Sequence, residues 1–186
     1  MKKLTLIALF AIAGLAASAQ TNKGSILLGG SIDFMSASNS TTNISNSTFG
    51  LNVKPSYFVI NDLSVGLNLG YYGEDKGGLS HGSKSVMPIG INVTKYFPIV
   101  ANSIYLTGTF GFDYVMRKNM ADASDNSMRV GVAPAVTWFP SKNWALSFGL
   151  RDIISYENFS DRKTSTFNFT PSTSGVSIGV AYNIAK

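Results

Sequence analysis

The chain has 186 residues, no cysteine and one histidine, with 45% hydrophobic and 13% charged residues. That length suits one ordinary domain, and the charge is about half of the roughly 25% usual in soluble domains. An aromatic content of 12% excludes a disordered tail, and the missing thiols exclude a disulfide scaffold, a thiolate metal site and a cysteine nucleophile.

One histidine rules out a His-rich metal site. The formal net charge of +5 includes Lys2 and Lys3 and is too diffuse to suggest a nucleic-acid partner. Met1, Lys2 and Lys3 precede the uncharged run LTLIALFAIAGLAA, and Ala17-Ser18-Ala19 supplies a small-x-small cleavage site before Gln20. This is the three-part layout of a secretory signal peptide; a membrane anchor needs about 20 apolar residues, and this run is shorter. The expected organisation is a signal peptide over 1–19 and one domain over 20–186. With no cysteine after the cleavage site, a lipoprotein is not expected.

The remainder alternates with period two, the signature of strands whose successive side chains face opposite ways. Strand one puts Ile26, Leu28, Ile32 and Phe34 opposite Ser25, Ser31 and Asp33. Strand two puts Phe49, Leu51, Val53 and Tyr57 opposite Thr48, Asn52, Lys54 and Ser56. Strand three, LSVGLNLGYYG over 63–73, sets Leu63, Val65, Leu67, Leu69 and Tyr71 against small and polar residues. Strand four carries Met87, Ile89, Ile91 and Val93 on its apolar face, and strand five Ile104, Leu106, Phe110, Phe112 and Tyr114. Strand six has Met128, Val130, Val132, Val136 and Trp138 against Arg129, Gly131, Ala133 and Thr137. Strand seven has Trp144, Leu146, Phe148 and Leu150 against Ala145, Ser147, Gly149 and Arg151; strand eight has Val176, Ile178, Val180, Tyr182 and Ile184. No segment shows helical periodicity.

Tight turns are expected at Asn61-Asp62, Pro98 to Asn102 and Pro140 to Asn143, and longer polar connections at 36–47, 74–84, 117–126 and 157–172. Short turns at one end and long loops at the other are the asymmetry of an outer-membrane barrel, whose short turns face the periplasm. The even strand count then puts both termini on the periplasmic side.

Alternation alone does not fix which face is inside. A soluble eight-stranded barrel that binds an apolar ligand would hide the apolar stripe. The opposite face, however, is Gly, Ser, Thr, Asn and Ala, a poor surface for water and a good lining for a narrow barrel. Aromatics also gather near strand ends, with Tyr57, Tyr96, Phe97, Trp138, Phe139, Trp144 and Tyr182 at the turn side. Phe34, Tyr71, Tyr72, Phe112, Tyr114 and Tyr156 gather at the loop side. Two such girdles are expected at membrane interfaces. The expected fold is therefore all-β: an eight-stranded antiparallel up-and-down transmembrane β-barrel in contact with outer-membrane lipid and lipopolysaccharide. Lys95, on the apolar face, can snorkel to the headgroups, and Asp152 is expected at the upper rim or past a register break.

The signal segment, the eight strands and stretches such as KYFPIVANSIYLTGTFGFDY and WFPSKNWALSFGL resemble the small outer-membrane β-barrels of the OmpA/OmpX type. The style is that of Bacteroidetes members, often labelled porin-like. The resemblance implies insertion by the barrel-assembly machinery, whose C-terminal signal is matched by Gly179, Tyr182 and Ile184 with Ile in place of the last aromatic. Pro55, Pro88 and Pro134 depart from an unbroken ladder and are expected to mark bulges.

Five charges fall on the inward face: Asp33, Lys54, Asp113, Arg129 and Arg151. Asp113 and Arg129 are expected to pair, with Arg151 sharing the site and Asp33 meeting Lys54. A gate or polar ligand site is one reading; an internal plug of paired charges is the favoured one. His81, beside Ser80 and Ser83 with Glu74 and Asp75 nearby, is the remaining enzymatic feature, as some small outer-membrane barrels modify lipid A. A nucleophile needs a base held in place by a third group, and this histidine lies among glycines. The expectation is a non-enzymatic protein without catalytic residues, cofactor or metal, serving envelope integrity or surface interaction through the four loops. A diffusion porin is disfavoured because eight strands are too few.

Overall fold

The computed structural model describes residues 21–39, 44–74, 83–100, 103–119, 124–150, 153–160, 163–169 and 175–184. The signal segment, His81, Arg151 and Asp152 lie outside these residues. Ten strand segments follow one another: β1 (Ile26–Asn39), β2 (Ile44–Ile60), β3 (Leu63–Glu74), β4 (Ser83–Val100) and β5 (Ile104–Asn119). After these come β6 (Ser127–Trp138), β7 (Trp144–Leu150), β8 (Ile154–Phe159), β9 (Thr164–Phe169) and β10 (Gly175–Ile184). Neighbours run β5-β4-β3-β2-β1-β10-β7-β6, and an additional β5–β6 pairing closes the ring. Every ladder is antiparallel, giving a closed eight-stranded barrel. Strand seven of the sequence reading is β7, continued beyond residues 150–153 by β8; strand eight is β10, and β9 lies within the stretch read as the connection 157–172. Among the described residues no helix is long and apolar enough to cross a membrane.

The register fixes the shape. From Gly30 one row of partners runs through Val53, Leu69 and Ile89 to Tyr114. The opposite row runs from Gly30 through Val180, Leu146 and Trp138 to Ile104. The two rows meet β5 ten residues apart, so the strands tilt by roughly 40° around a backbone radius of roughly 8 Å, given ordinary strand spacings. Each residue then climbs the axis by about 2.5 Å. Leu106 to Tyr114 on β5 therefore covers about 20 Å, close to the height of a membrane barrel's apolar band.

Side chains sort as the alternation requires. Leu51, Leu67, Ile91, Phe110, Phe148 and Ile178 all point outward and are exposed, whereas Asp33, Asn52, Asn92, Thr107, Asp113 and Thr137 are buried inside. This inverts a soluble core, and only lipid makes it favourable, because the outer surface would otherwise place thirty-six exposed large apolar side chains of the described residues in water.

Several local expectations change. The loops at 36–47 and 157–172 contain paired strand: β1 and β2 stay in register up to Asn39 and Ile44, and β8 and β9 pair from Ile154↔Phe169 to Phe159↔Thr164. Ser, Asn and Thr at those positions need no membrane to satisfy a backbone ladder, so composition gave no warning. Pro98 lies within β4, beside a register shift between Pro98 and Val100, and not in the following turn. Pro55 and Pro88 interrupt the ladders on either side of β3 without shifting them. Each removes an N–H, yet the flanking pairs keep their partners. Pro134 differs: Ala135 pairs with Gly149, but Val132 pairs with Ile154, so strand seven gains two residues across 150–153. At the turn end Ile60 pairs with Leu63 across Asn61-Asp62, and Asp62 takes φ 60°. The described chain ends, Thr21 and Ile184, lie at this same end: the Asp62 N–H donates to the Thr21 carbonyl at 2.9 Å and Ile26 pairs with Ile184.

The outward belt yields a test. Leu67→Arg, at mid-height, should cost about 2–4 kcal/mol of stability in phospholipid vesicles, whereas Ile99→Arg, beside the β4–β5 turn, should cost at most about 1 kcal/mol. Urea unfolding followed by tryptophan fluorescence reads both; equal costs would show that the belt is not in lipid.

Candidate functional site: the barrel interior

At a radius near 8 Å the interior has room for side chains and little else. The turn-end layer is apolar: Leu27, Phe58, Tyr96, Tyr105, Phe139 and Ala145 form one cluster, with Phe58 and Phe139 fully buried. Their rings form a chain, Phe58 to Tyr96 at 5.2 Å, Tyr96 to Tyr105 at 6.0 Å and Tyr105 to Phe139 at 5.5 Å between centroids. The first pair is tilted and the other two are edge-to-face, and edge-to-face pairs add about 0.5–1.5 kcal/mol each beyond burial. Tyr96 and Phe139, expected in the turn-side girdle, therefore belong to an internal plug. The register explains why: Tyr96 is in phase with inward Asn92 and Thr94, and Phe139 with inward Thr137.

Above the plug lies a cavity of ≈ 200 Å³ lined by Lys54, Asn68, Thr94, Thr109, Asp113 and Arg129 among others. Its wall is mixed, with Leu27, Tyr96 and Ala145 of the plug joining these polar groups, and the polar part has the partners and the room that ordered water needs. On its wall the Thr94 and Thr109 hydroxyls, paired on neighbouring β4 and β5, are hydrogen-bonded at 2.9 Å. Lys54 faces this space. Its strand partner is Gly29, while Asp33 stands opposite Gly50, four residues further along β1. The expected Asp33–Lys54 pair is therefore out of reach and does not form.

Asp33 is held instead by a tyrosine two strands away. The Tyr72 hydroxyl donates to Asp33 Oδ2 at 2.6 Å, Asn52 Nδ2 donates to the same oxygen at 2.6 Å, and Ser31 Oγ donates to Asp33 Oδ1 at 3.2 Å. Tyr72 reaches β1 by lying across Gly50 of the intervening strand, where an added Cβ would fall 2.0 Å from the ring. Tyr72, expected in the loop-side girdle, is thus buried inside, with Val86 and Val115 packed on it.

The next group is the expected one. Asp113 and Arg129 are direct partners on β5 and β6, and Arg129 Nη2 donates to Asp113 Oδ2 at 2.9 Å. Asn68 Nδ2 donates to Asp113 Oδ1 at 2.9 Å. Arg151, expected to share this site, lies outside the described residues. Above it a second ion pair was missed by sequence reasoning: Arg117 Nη2 meets Glu157 Oε1 at 2.5 Å, Arg117 Nη1 donates to Ser127 Oγ, and Ser127 Oγ donates to Glu157. The Arg117 guanidinium also sits 5.2 Å from the Phe159 ring centroid. Both charges fell in segments read as loops, although Arg117 continues the inward phase of Asp113 and Val115.

Of the residues expected at membrane interfaces, Tyr57, Phe97, Trp144, Tyr182, Tyr71, Phe112 and Tyr114 are exposed on the outer surface, and Trp138 is half-buried there. Trp144 and Tyr182 stack edge-to-face at 5.3 Å. Lys95 is half-buried opposite Leu63 and Gly108. Among the described residues no three His, Asp or Glu side chains gather where a metal could bind.

The family described as outer membrane protein beta-barrel domain matches residues 5–183. The chain belongs to that family. A comparison with curated protein sequences finds no match. Among solved structures, it is similar to the Neisserial surface protein A (NspA) at 17% identity and a TM-score of 0.52, covering 87% of this chain and 97% of that one. It is also similar to the N-terminal β-barrel domain of Pseudomonas aeruginosa OprF, at 9% identity and a TM-score of 0.54, covering 87% and 98%. A de novo designed transmembrane β-barrel matches at 13% identity and a TM-score of 0.50, covering 89% and 99%. At such identities these likenesses concern the fold.

Asp113→Ala leaves Arg129 without its carboxylate and should lower stability by about 3–5 kcal/mol; an unchanged urea midpoint would remove the pair from the account. Gly50→Ala should destabilise the barrel by displacing the Tyr72 ring, and in a Tyr72→Ala background most of that cost should vanish. A double-mutant cycle measures the coupling, and additive costs would show that the ring does not depend on Gly50.

Proposed function

We propose that the protein is a non-enzymatic integral barrel of the bacterial outer membrane, of the OmpA/OmpX type. It is exported by its cleaved 1–19 segment and has both termini in the periplasm. Its work is mechanical and presentational: a sealed wall element that contributes to envelope integrity and displays polar connections for surface interaction. The observation that carries this reading is the obstructed lumen, closed at the turn end by Phe58 and Phe139 with no exposure and crossed above its cavity by the Asp113–Arg129 and Arg117–Glu157 ion pairs. Such an interior stabilises a wall and offers no wide path to solutes. Orientation follows from the short-turn end, which in barrels of this kind faces the periplasm.

The test is direct. Protein extracted from outer membranes in mild detergent should migrate differently on gels with and without boiling, as a compact heat-resistant barrel does, and planar-bilayer recordings should show no large stable conductance. A soluble protein with no mobility shift would refute the membrane assignment; a large steady conductance would refute the sealed wall.

A further inference from the structure

The β8–β9 hairpin is where the outer surface departs from a plain barrel with free loops. Among the described residues it is attached through β6 alone: β8 pairs with β6 over Ser127↔Phe159 to Val132↔Ile154, and β9 pairs with β8. Three outward rows cross from the barrel onto it without a break. They read Phe110–Val132–Ile154–Phe169, Phe112–Val130–Tyr156–Phe167 and Tyr114–Met128–Asn158–Ser165. The first two are apolar to the end, and the third turns polar on reaching the hairpin. Phe167 and Phe169 are 68% and 64% exposed, the most exposed large apolar side chains among the described residues.

Height can be read from the tilt. The row from Ile104 to Gly30 shows that rows climb from β5 towards β6 and β7, by about 3 Å per strand at the tilt derived above. Phe169, three strands on from Phe110, then stands close to the level of Tyr114 in the loop-side girdle, and Phe167 about one residue pair higher. The inner face of β8 is fastened: Glu157 is bound by Arg117 and Ser127, and Arg117 lies against buried Phe159, while β9 is carried by its ladder with β8. One face is thus pinned to the barrel's interior, and the other continues the lipid-facing belt.

We propose that the outward face of β8–β9 is a lipid-contacting surface, seated at the outer interface with Phe169 and Phe167 against the upper acyl chains of the outer leaflet. The occupant follows from continuity with the belt and from the change to Asn158 and Ser165 one row above. The inference rests on the membrane reading, and its test separates the two. It also takes the hairpin away from the surfaces offered to soluble partners.

The natural chain has no cysteine, so single nitroxide labels can be placed at Phe169→Cys, Phe167→Cys, Leu67→Cys and Lys142→Cys. The labelled full chains would be folded into phosphatidylcholine vesicles and their electron paramagnetic resonance relaxation compared in oxygen and in an aqueous nickel chelate. Oxygen should dominate at 67 and 169, the chelate at 142, and position 167 should lie between. Chelate dominance at 169 with oxygen dominance at 67 would overturn the hairpin assignment while leaving the barrel in its membrane. Chelate dominance at 67 as well would overturn both. Protection from both agents at 169 and 167, with spin–spin broadening between copies, would give the face to a second copy and overturn the lipid assignment. If Phe169→Cys does not fold, Phe167→Cys alone decides: chelate accessibility equal to that at 142 overturns the proposal.

Discussion

A backbone amide in hydrocarbon has no water to fall back on, and that single constraint organises this molecule. An open sheet of the same strands would present two rows of unpaired N–H and C=O groups to lipid, each costing several kcal/mol. Closure of β5 on β6 removes both rows at once, and the shear of ten residues between the two ways around the ring is the geometry by which eight strands close. The tolerance for Pro55 and Pro88 is understandable in the same terms. Each costs one ladder bond, but the flanking pairs stay in register, and neither proline opens the ring.

Closure then dictates the interior. A ring this narrow brings inward side chains from non-neighbouring strands within reach, so polar groups can be satisfied two strands away. Tyr72 crossing Gly50 to reach Asp33 is the clearest case: a residue with no side chain is needed where a ring must pass. Charges inside are tolerated because partners meet them, as Asp113 and Arg129 do at adjacent positions and Arg117, Ser127 and Glu157 do higher up. The apolar cluster around Phe58 and Phe139 does the same work without charge, sealing the end where the turns are shortest.

Period-two alternation made the barrel, its strand count and its outward stripe legible in the sequence, because each strand is two-sided and the two sides differ in polarity. The Asp113–Arg129 pair was legible for the same reason, since one connection joins β5 to β6 and symmetric pairing places the two at one height. What was lost was lost at strand ends and in register. Tyr72, Tyr96 and Phe139 were grouped by nearness to strand ends, when their phase put them inside with Asn68, Thr94 and Thr137. Asp33 and Lys54 share a face, but no local signal in β1 or β2 says that Lys54 falls opposite Gly29. Arg117 and Glu157 were hidden because polar sequence above the membrane reads as loop whether or not its backbone is paired.

The two residues gained in strand seven opposite Pro134 have a meaning beyond local geometry. Because the surplus is even, Ile154 and Tyr156 keep the facing of Leu146 and Phe148, and the segment beyond the break stays right side out. A surplus of one would have turned the whole hairpin inside out, putting Glu157 towards lipid and Phe167 towards the lumen. Elsewhere the ladders do shift by single residues, at Phe58/Ile60, Ser83/Ser85 and Pro98/Val100, but each of those lies at the end of a strand, where no long paired segment beyond it has a facing to keep.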